Sequence, residues 1–305
     1  MRIASARDEL TSATGLRATM RRHPLIAFFF MAYAFSWIVW IPYVLSIWHI
    51  IPVNTFSALT FPIGTFLGPT FSAFIMTGLL EGDSGLGRLL HRFAFWRVGL
   101  QWYLFVLLGV PALCLLGIVV LPGALASFKA PTPLFLVHSL EQLFVVFFLG
   151  GPLAEEPGWR GFALPRLQRN YGPLRGTLLL AVLWTCWHLP HFLTPAQHGG
   201  PGTTFAAFLK NFPIFCLLCI ALAIIITWVF NHTGGSLLIV VLLHASVDAN
   251  LFPLIFPAPI VTNTDLFPVI GFGLAALVIV IVTRGRLGYP RDTAVRSPNP
   301  LAASG

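Results

Sequence analysis

At 305 residues, 57% hydrophobic and with a mean hydropathy of +0.84, the chain carries more apolar surface than one water-soluble core of this length can hide. Its net charge of +8 does not point to nucleic acid, because the basic residues fall in short polar segments between long apolar runs instead of gathering in one patch. Apolar runs of about 18 residues or more are the length a helix needs to cross a bilayer. The expected fold class is therefore all-α: a polytopic membrane protein of about eight transmembrane helices.

Residues 1–24 form a basic N-terminal segment with Arg2, Arg7, Arg17, Arg21 and Arg22. Arg21-Arg22 ahead of an apolar run is faintly like a twin-arginine signal. The run that follows is span-length and lacks a small-residue cleavage site, so a cytoplasmic anchor is the simpler reading. Spans are expected at about 25–48, 57–80, 101–122, 134–156, 174–189, 207–230, 236–256 and 266–283. Residues 25–283 thus read as one membrane domain. Between the second and third spans, residues 88–97 mix arginines with bulky apolar side chains. This suits an interfacial amphipathic helix and a basic loop with aromatic anchors equally well. Cys114, Cys186, Cys216 and Cys219 lie in apolar runs, where cysteine acts as a small hydrophobe. Cys216 and Cys219 have redox spacing, but no second pair supports it, and no disulfide is expected. Residues 284–305 are polar and read as a disordered tail.

An even number of spans puts both termini on one side. With the N-terminus inside, sixteen of the 18 Lys and Arg residues fall on the inner side, and only Lys129 and Lys210 fall outside. The excess of Lys and Arg on cytoplasmic segments then predicts cytoplasmic N- and C-termini. The expected location is the cytoplasmic membrane of a prokaryote, with membrane lipids as surroundings.

Ionisable groups at membrane depth are costly and need a partner or a cavity. The densest cluster is Ala154-Glu155-Glu156-Pro157-Gly158-Trp159-Arg160, directly after the apolar run of residues 143–153. Glu156 and Arg160 are spaced i,i+4 with the acid first, the favourable order for a pair. That leaves Glu155 without a partner on its own helix and free to act as a base. The turn signal Asn170-Tyr171-Gly172-Pro173 joins the fourth and fifth spans. Glu155 and His188 stand nearly equidistant from Gly172, at about 20–25 Å in an antiparallel hairpin. Counted from the turn at Asn231-His232-Thr233-Gly234-Gly235, His244 and Asp248 stand about 14–20 Å up, on one helical face. Three helices thus bring carboxylates and imidazoles to similar depth, reached from the inner side. His191 is expected beside this group or at the surface. Glu141, near His138, is too far along its helix to join and reads as an outer polar contact.

Glu155-Glu156-Pro157-Gly158-Trp159-Arg160 resembles the EExxxR motif of the CPBP family of intramembrane proteases, which includes the type II CAAX prenyl endopeptidases. Trp184-Thr185-Cys186-Trp187-His188 is similar to that family's FxxxH, with Trp for Phe. His244-Ala245-Ser246-Val247-Asp248 is similar to its third motif, a His followed four residues later by Asn or Asp. The resemblance covers about residues 150–250. It implies an eight-helix membrane endopeptidase with a cavity open to the cytoplasmic side and a membrane-anchored protein or peptide as substrate. It implies that Glu155 and His188 activate water, that His244 and Asp248 orient or stabilise the oxyanion, and that Arg160 holds Glu156. Trp184 keeps an aromatic wall. Asp248, where the eukaryotic enzymes have Asn, cannot donate to an oxyanion when ionised and would orient His244 or ligate a metal. Glu155, His188 and His244 are adequate zinc ligands, and a metal-free glutamate mechanism suits the same residues. Intramembrane carboxylates and histidines also occur in proton-coupled transporters, and the fold could serve as a non-catalytic scaffold or immunity protein.

Overall fold

The computed structural model describes residues 15–197 and 200–290. Most of the expected basic N-terminal segment and most of the expected polar tail lie outside the described residues. Among the described residues all regular structure is helical, and eight segments are long and apolar enough to cross a membrane. They are Pro24–Ile47, Thr55–His91, Leu100–Val119, Phe135–Tyr171, Pro173–Leu193, Phe205–His232, Leu237–Ile255 and Leu266–Thr283, the first to eighth spans below. The protein is an integral multi-pass membrane protein. Large apolar side chains such as Ile26, Phe30, Phe144 and Val282 stand exposed on the outside of the bundle, where lipid takes the place of water. A short helix, Leu16–Arg22, precedes the first span, whose first residue is Pro24.

The second and fourth spans run farther than the apolar stretches suggest. Each passes a proline through a π-helical turn, Phe66–Phe71 around Pro69 and Pro157–Ala163 after Glu156. A proline removes one backbone donor, and the wider turn absorbs that loss without ending the helix. The second span breaks at Gly82, whose φ is +63°, and residues 83–91 form a separate helical segment beyond that kink. Residues 88–91 are helical and residues 92–97 are not, so each of the two readings holds for part of that stretch. The chain after it is pinned to the start of the seventh span: Leu237 N–H donates to the Arg92 carbonyl at 3.0 Å, and Ser236 Oγ donates to the Phe95 carbonyl at 2.7 Å.

The sixth span is the central post, with every residue of 221–230 except Trp228 buried. Two close approaches set the bundle around it. Gly172, at φ +81°, makes the turn between the fourth and fifth spans, and a Cβ on Gly176 would lie 2.7 Å from the Leu167 carbonyl group. The π-helical turn of the fourth span nests against that of the second, where a Cβ on Gly158 would meet Pro69 at 2.5 Å. Thr70 Oγ1 donates to the Ala154 carbonyl at 2.6 Å across the same contact. This clamp lies immediately beside Glu155. All four cysteines are free.

Candidate active site

The fourth span breaks at Gly150, which is extended, and restarts as Gly151–Glu156 before the π-helical turn. Adjacent helical residues point about 100° apart, so Glu155 and Glu156 face different neighbours. Glu156 is fully buried, and its Oε1 accepts from Arg160 Nη1 at 2.9 Å and from His244 Nδ1 at 2.8 Å. The expected Glu156–Arg160 pair is therefore present, and it is shared with the seventh span. Arg160 is also fully buried, with its guanidinium carbon 4.5 Å from the centre of the Trp184 ring, in the range of a cation–π contact.

Glu155 has partners that the sequence reading missed. Its Oε2 accepts from Trp184 Nε1 at 2.7 Å and from Trp159 Nε1, one turn along its own helix, at 3.3 Å. The expectation that it lacks a partner on its own helix is corrected. The error lay in reading tryptophan as an apolar wall and overlooking its one N–H donor. The other oxygen, Oε1, lies on the Gly151 side, where a Cβ would approach it to 2.6 Å.

The helical part of the fifth span ends at Trp187, and a tighter turn, Leu189–Leu193, carries the chain on. His188 sits at this junction. Its Nδ1–H donates to the Trp184 carbonyl at 2.8 Å, which leaves Nε2 as the nitrogen with a free lone pair. The seventh span is helical as far as Asp248. Asp248 Oδ2 stands 3.7 Å from His244 Nε2, beyond hydrogen-bond range, so Glu156 is the carboxylate that orients this imidazole. His191, expected beside the site or at the surface, is buried against Trp40 and Phe61 with ring centres 4.5 and 4.9 Å away. Its spacing of three residues from His188 was the available signal. Glu141 pairs with His138 at 3.5 Å on the exposed outside, away from the cluster.

Glu155, Trp184, His188, His191, His244 and Asp248 all line one cavity of about 720 Å³. Glu156 and Arg160 lie behind its wall. Trp184 is the common member: its N–H holds Glu155, its ring carries Arg160, its carbonyl fixes His188, and His244 packs edge-on at 5.4 Å. Replacing it with phenylalanine keeps the ring and removes the shorter of the two bonds to Glu155. A hydrogen bond to a charged group is worth about 1.5–3 kcal/mol. Trp184→Phe is expected to lower turnover by roughly 10- to 100-fold while the protein still folds, since about 1.4 kcal/mol is a factor of ten. Detergent thermal melts beside activity measurements check this; unchanged turnover would remove Trp184 from the account.

No three His, Cys, Asp or Glu groups among the described residues are gathered as a metal ion requires. As placed, Glu155, His188 and His244 do not form a ready zinc site.

Two comparisons bear on the chain. A family model described as type II CAAX prenyl endopeptidase Rce1-like matches residues 137–250. A protein of Methanococcus maripaludis named CAAX prenyl protease 2 is 28% identical over 96 residues, 32% of this chain. The match spans 35% of that relative's length, about a third. The family resemblance read from the three motifs is borne out: the segment that carries Glu155, His188 and His244 matches the family model, and the chain is similar to the CPBP, CAAX-protease-like family.

Proposed function

We propose that this chain is an intramembrane endopeptidase that hydrolyses a peptide bond of a membrane-associated protein or peptide. One observation carries the reading. A buried carboxylate, Glu155, is held on one oxygen by two indole N–H groups and lines a cavity shared with two imidazoles. In this reading Glu155 Oε1 takes a proton from water, and His188 Nε2 helps to orient that water. The water oxygen attacks the peptide carbonyl carbon, and the carbonyl oxygen becomes the oxyanion. His244, protonated and held at Nδ1 by Glu156, donates from Nε2 to that oxyanion. Asp248 faces this nitrogen and balances its charge. Collapse breaks the C–N bond, and Glu155 returns its proton to the departing amine. Each step uses groups of the chain itself, and none is routed through a metal. Neither matched description is that of a transporter or a scaffold.

The test compares membranes containing wild-type, His188→Ala or His244→Ala protein by mass spectrometry of new N-termini. Fragments made by the wild type are expected to fall at least about 100-fold in both variants, the usual contribution of an acid–base or oxyanion group. Fragments that persist at wild-type levels in both would sink the proposal.

A further inference from the structure

The cavity has a definite end. The connecting residues that line it are Gln197, after the fifth span, and Val261, Thr262, Thr264 and Asp265, before the eighth. Residues 92–99, Gly172, residues 233–236 and residues 284–290 contribute nothing to its lining. The spans agree with the connections. Phe267 and Pro268 lie in the first turn of the eighth span, Phe61 and Pro62 are in the first half of the second, and Cys114 is in the last third of the third. All of these stand toward the end of the bundle that bears residues 48–54, 194–197, 200–204 and 256–265.

The charges lie at the other end. Arg88, Arg92 and Arg97, then Arg166, Arg169 and Arg175, then Arg284 and Arg286 all surround the inner turns. The mouth end carries Lys129 in a connection and Lys210 early in the sixth span. Arginine-rich short connections stay in the cytoplasm during insertion, so this asymmetry sets orientation. The expectation of a cavity reached from the inner side used distance from the turn alone. The fourth–fifth hairpin is long enough to carry its polar residues past the middle of a roughly 30 Å hydrocarbon core.

We infer that the cavity opens on the non-cytoplasmic face, and that its substrates are apolar segments of membrane-anchored or exported polypeptides whose scissile bond lies at that face. The substrate half rests on the proteolytic reading above; the orientation half does not. Phe61, Phe66, Phe148, Phe215 and Leu218 make the walls, a surface suited to an apolar segment descending from the membrane interface. A tail prenylated in the cytoplasm would meet the closed end.

The test uses the full chain in a bacterial cytoplasmic membrane, with its four cysteines replaced by alanine and one introduced. Thr262→Cys stands exposed at the mouth, and Ala94→Cys stands exposed at the arginine-rich end. A membrane-impermeant maleimide is expected to label Thr262→Cys in intact cells at least tenfold more than Ala94→Cys, which becomes reactive only after permeabilisation. The reverse pattern overturns the inference. Should the alanine background fail to fold, a C-terminal fluorescent fusion on the unmodified chain gives the same reading, because such a domain matures only in the cytoplasm; a dark fusion on an inserted protein overturns the orientation. A quenched apolar peptide is then supplied from either side of oriented proteoliposomes. Cleavage only from the mouth side supports the substrate class, and cleavage only from the arginine side overturns it. No cleavage from either side defeats the proteolytic reading and its substrate class, and leaves the measured orientation standing.

Discussion

Glu155→Gln is expected to insert, fold and melt like the wild type while losing cleavage by about 10²- to 10⁴-fold, the range of a general base. The substitution is nearly isosteric. An amide carbonyl oxygen accepts from Trp184 and Trp159 as the carboxylate does, so the two indole N–H groups at 2.7 and 3.3 Å keep a partner. The amide nitrogen then takes the Oε1 position on the cavity side, replacing a proton acceptor with a donor. Little packing changes, and the capacity to deprotonate water is gone. The measurement pairs single-turnover kinetics in proteoliposomes with a thermal melt of the same preparation. A variant within tenfold of wild-type turnover would show that the carboxylate is a structural acceptor for the indoles. A variant that fails to insert would place Glu155 among the groups that hold the bundle together.

Arg160→Met should behave in the opposite way, with its main effect on folding. Glu156 and Arg160 are both fully buried at 2.9 Å, with His244 on the same carboxylate oxygen. Removing one partner of a buried pair costs about 3–5 kcal/mol, because the other charge is left uncompensated. It also strips the cation from the Trp184 ring, 4.5 Å away. The expected outcome is a large drop in the yield of folded protein and in melting temperature. Glu156→Gln with Arg160→Met should recover much of the stability, and the cycle through the two single variants measures their coupling. A single variant that melts with the wild type would refute the pairing. Glu156 Oε2 and Arg160 Nε and Nη2 have no hydrogen-bond partner among the described residues. The pair also fixes where His244 and Trp184 sit, because the Glu156 carboxylate holds the one and the Arg160 guanidinium lies over the ring of the other.

Much of this arrangement is legible in the sequence, for reasons that differ by residue. The spans follow from apolar length alone, and their observed bounds fall close to the expected ones except at the far ends of the second and fourth, which run on into polar sequence. The structure carries the helix past Pro69 and Pro157 through π-helical turns, a device that no local pattern announces. The Glu156–Arg160 pair was legible because helical periodicity places i and i+4 together. The bond between Glu156 and His244 joins residues 88 positions apart and needs the packing of the fourth span on the seventh. Trp184 was visible as a departure from FxxxH, but its meaning depends on where one N–H points. Hairpin counting gave comparable depth for Glu155 and His188, yet depth along a helix does not say which end of a cavity is open.

The stretch Phe135–Leu149, the first part of the fourth span, has no buried residue, and Phe144, Phe148 and Leu149 are exposed. It is joined to Gly151–Glu156 through the extended Gly150, and Phe148 to Gly151 border the cavity. Displacing this helix would uncover no core and break few side-chain contacts, so its local opening free energy is among the lowest in the bundle. Amide exchange should therefore be fastest here among the spans. The wall of the cavity that faces lipid is the one the protein spends least to move.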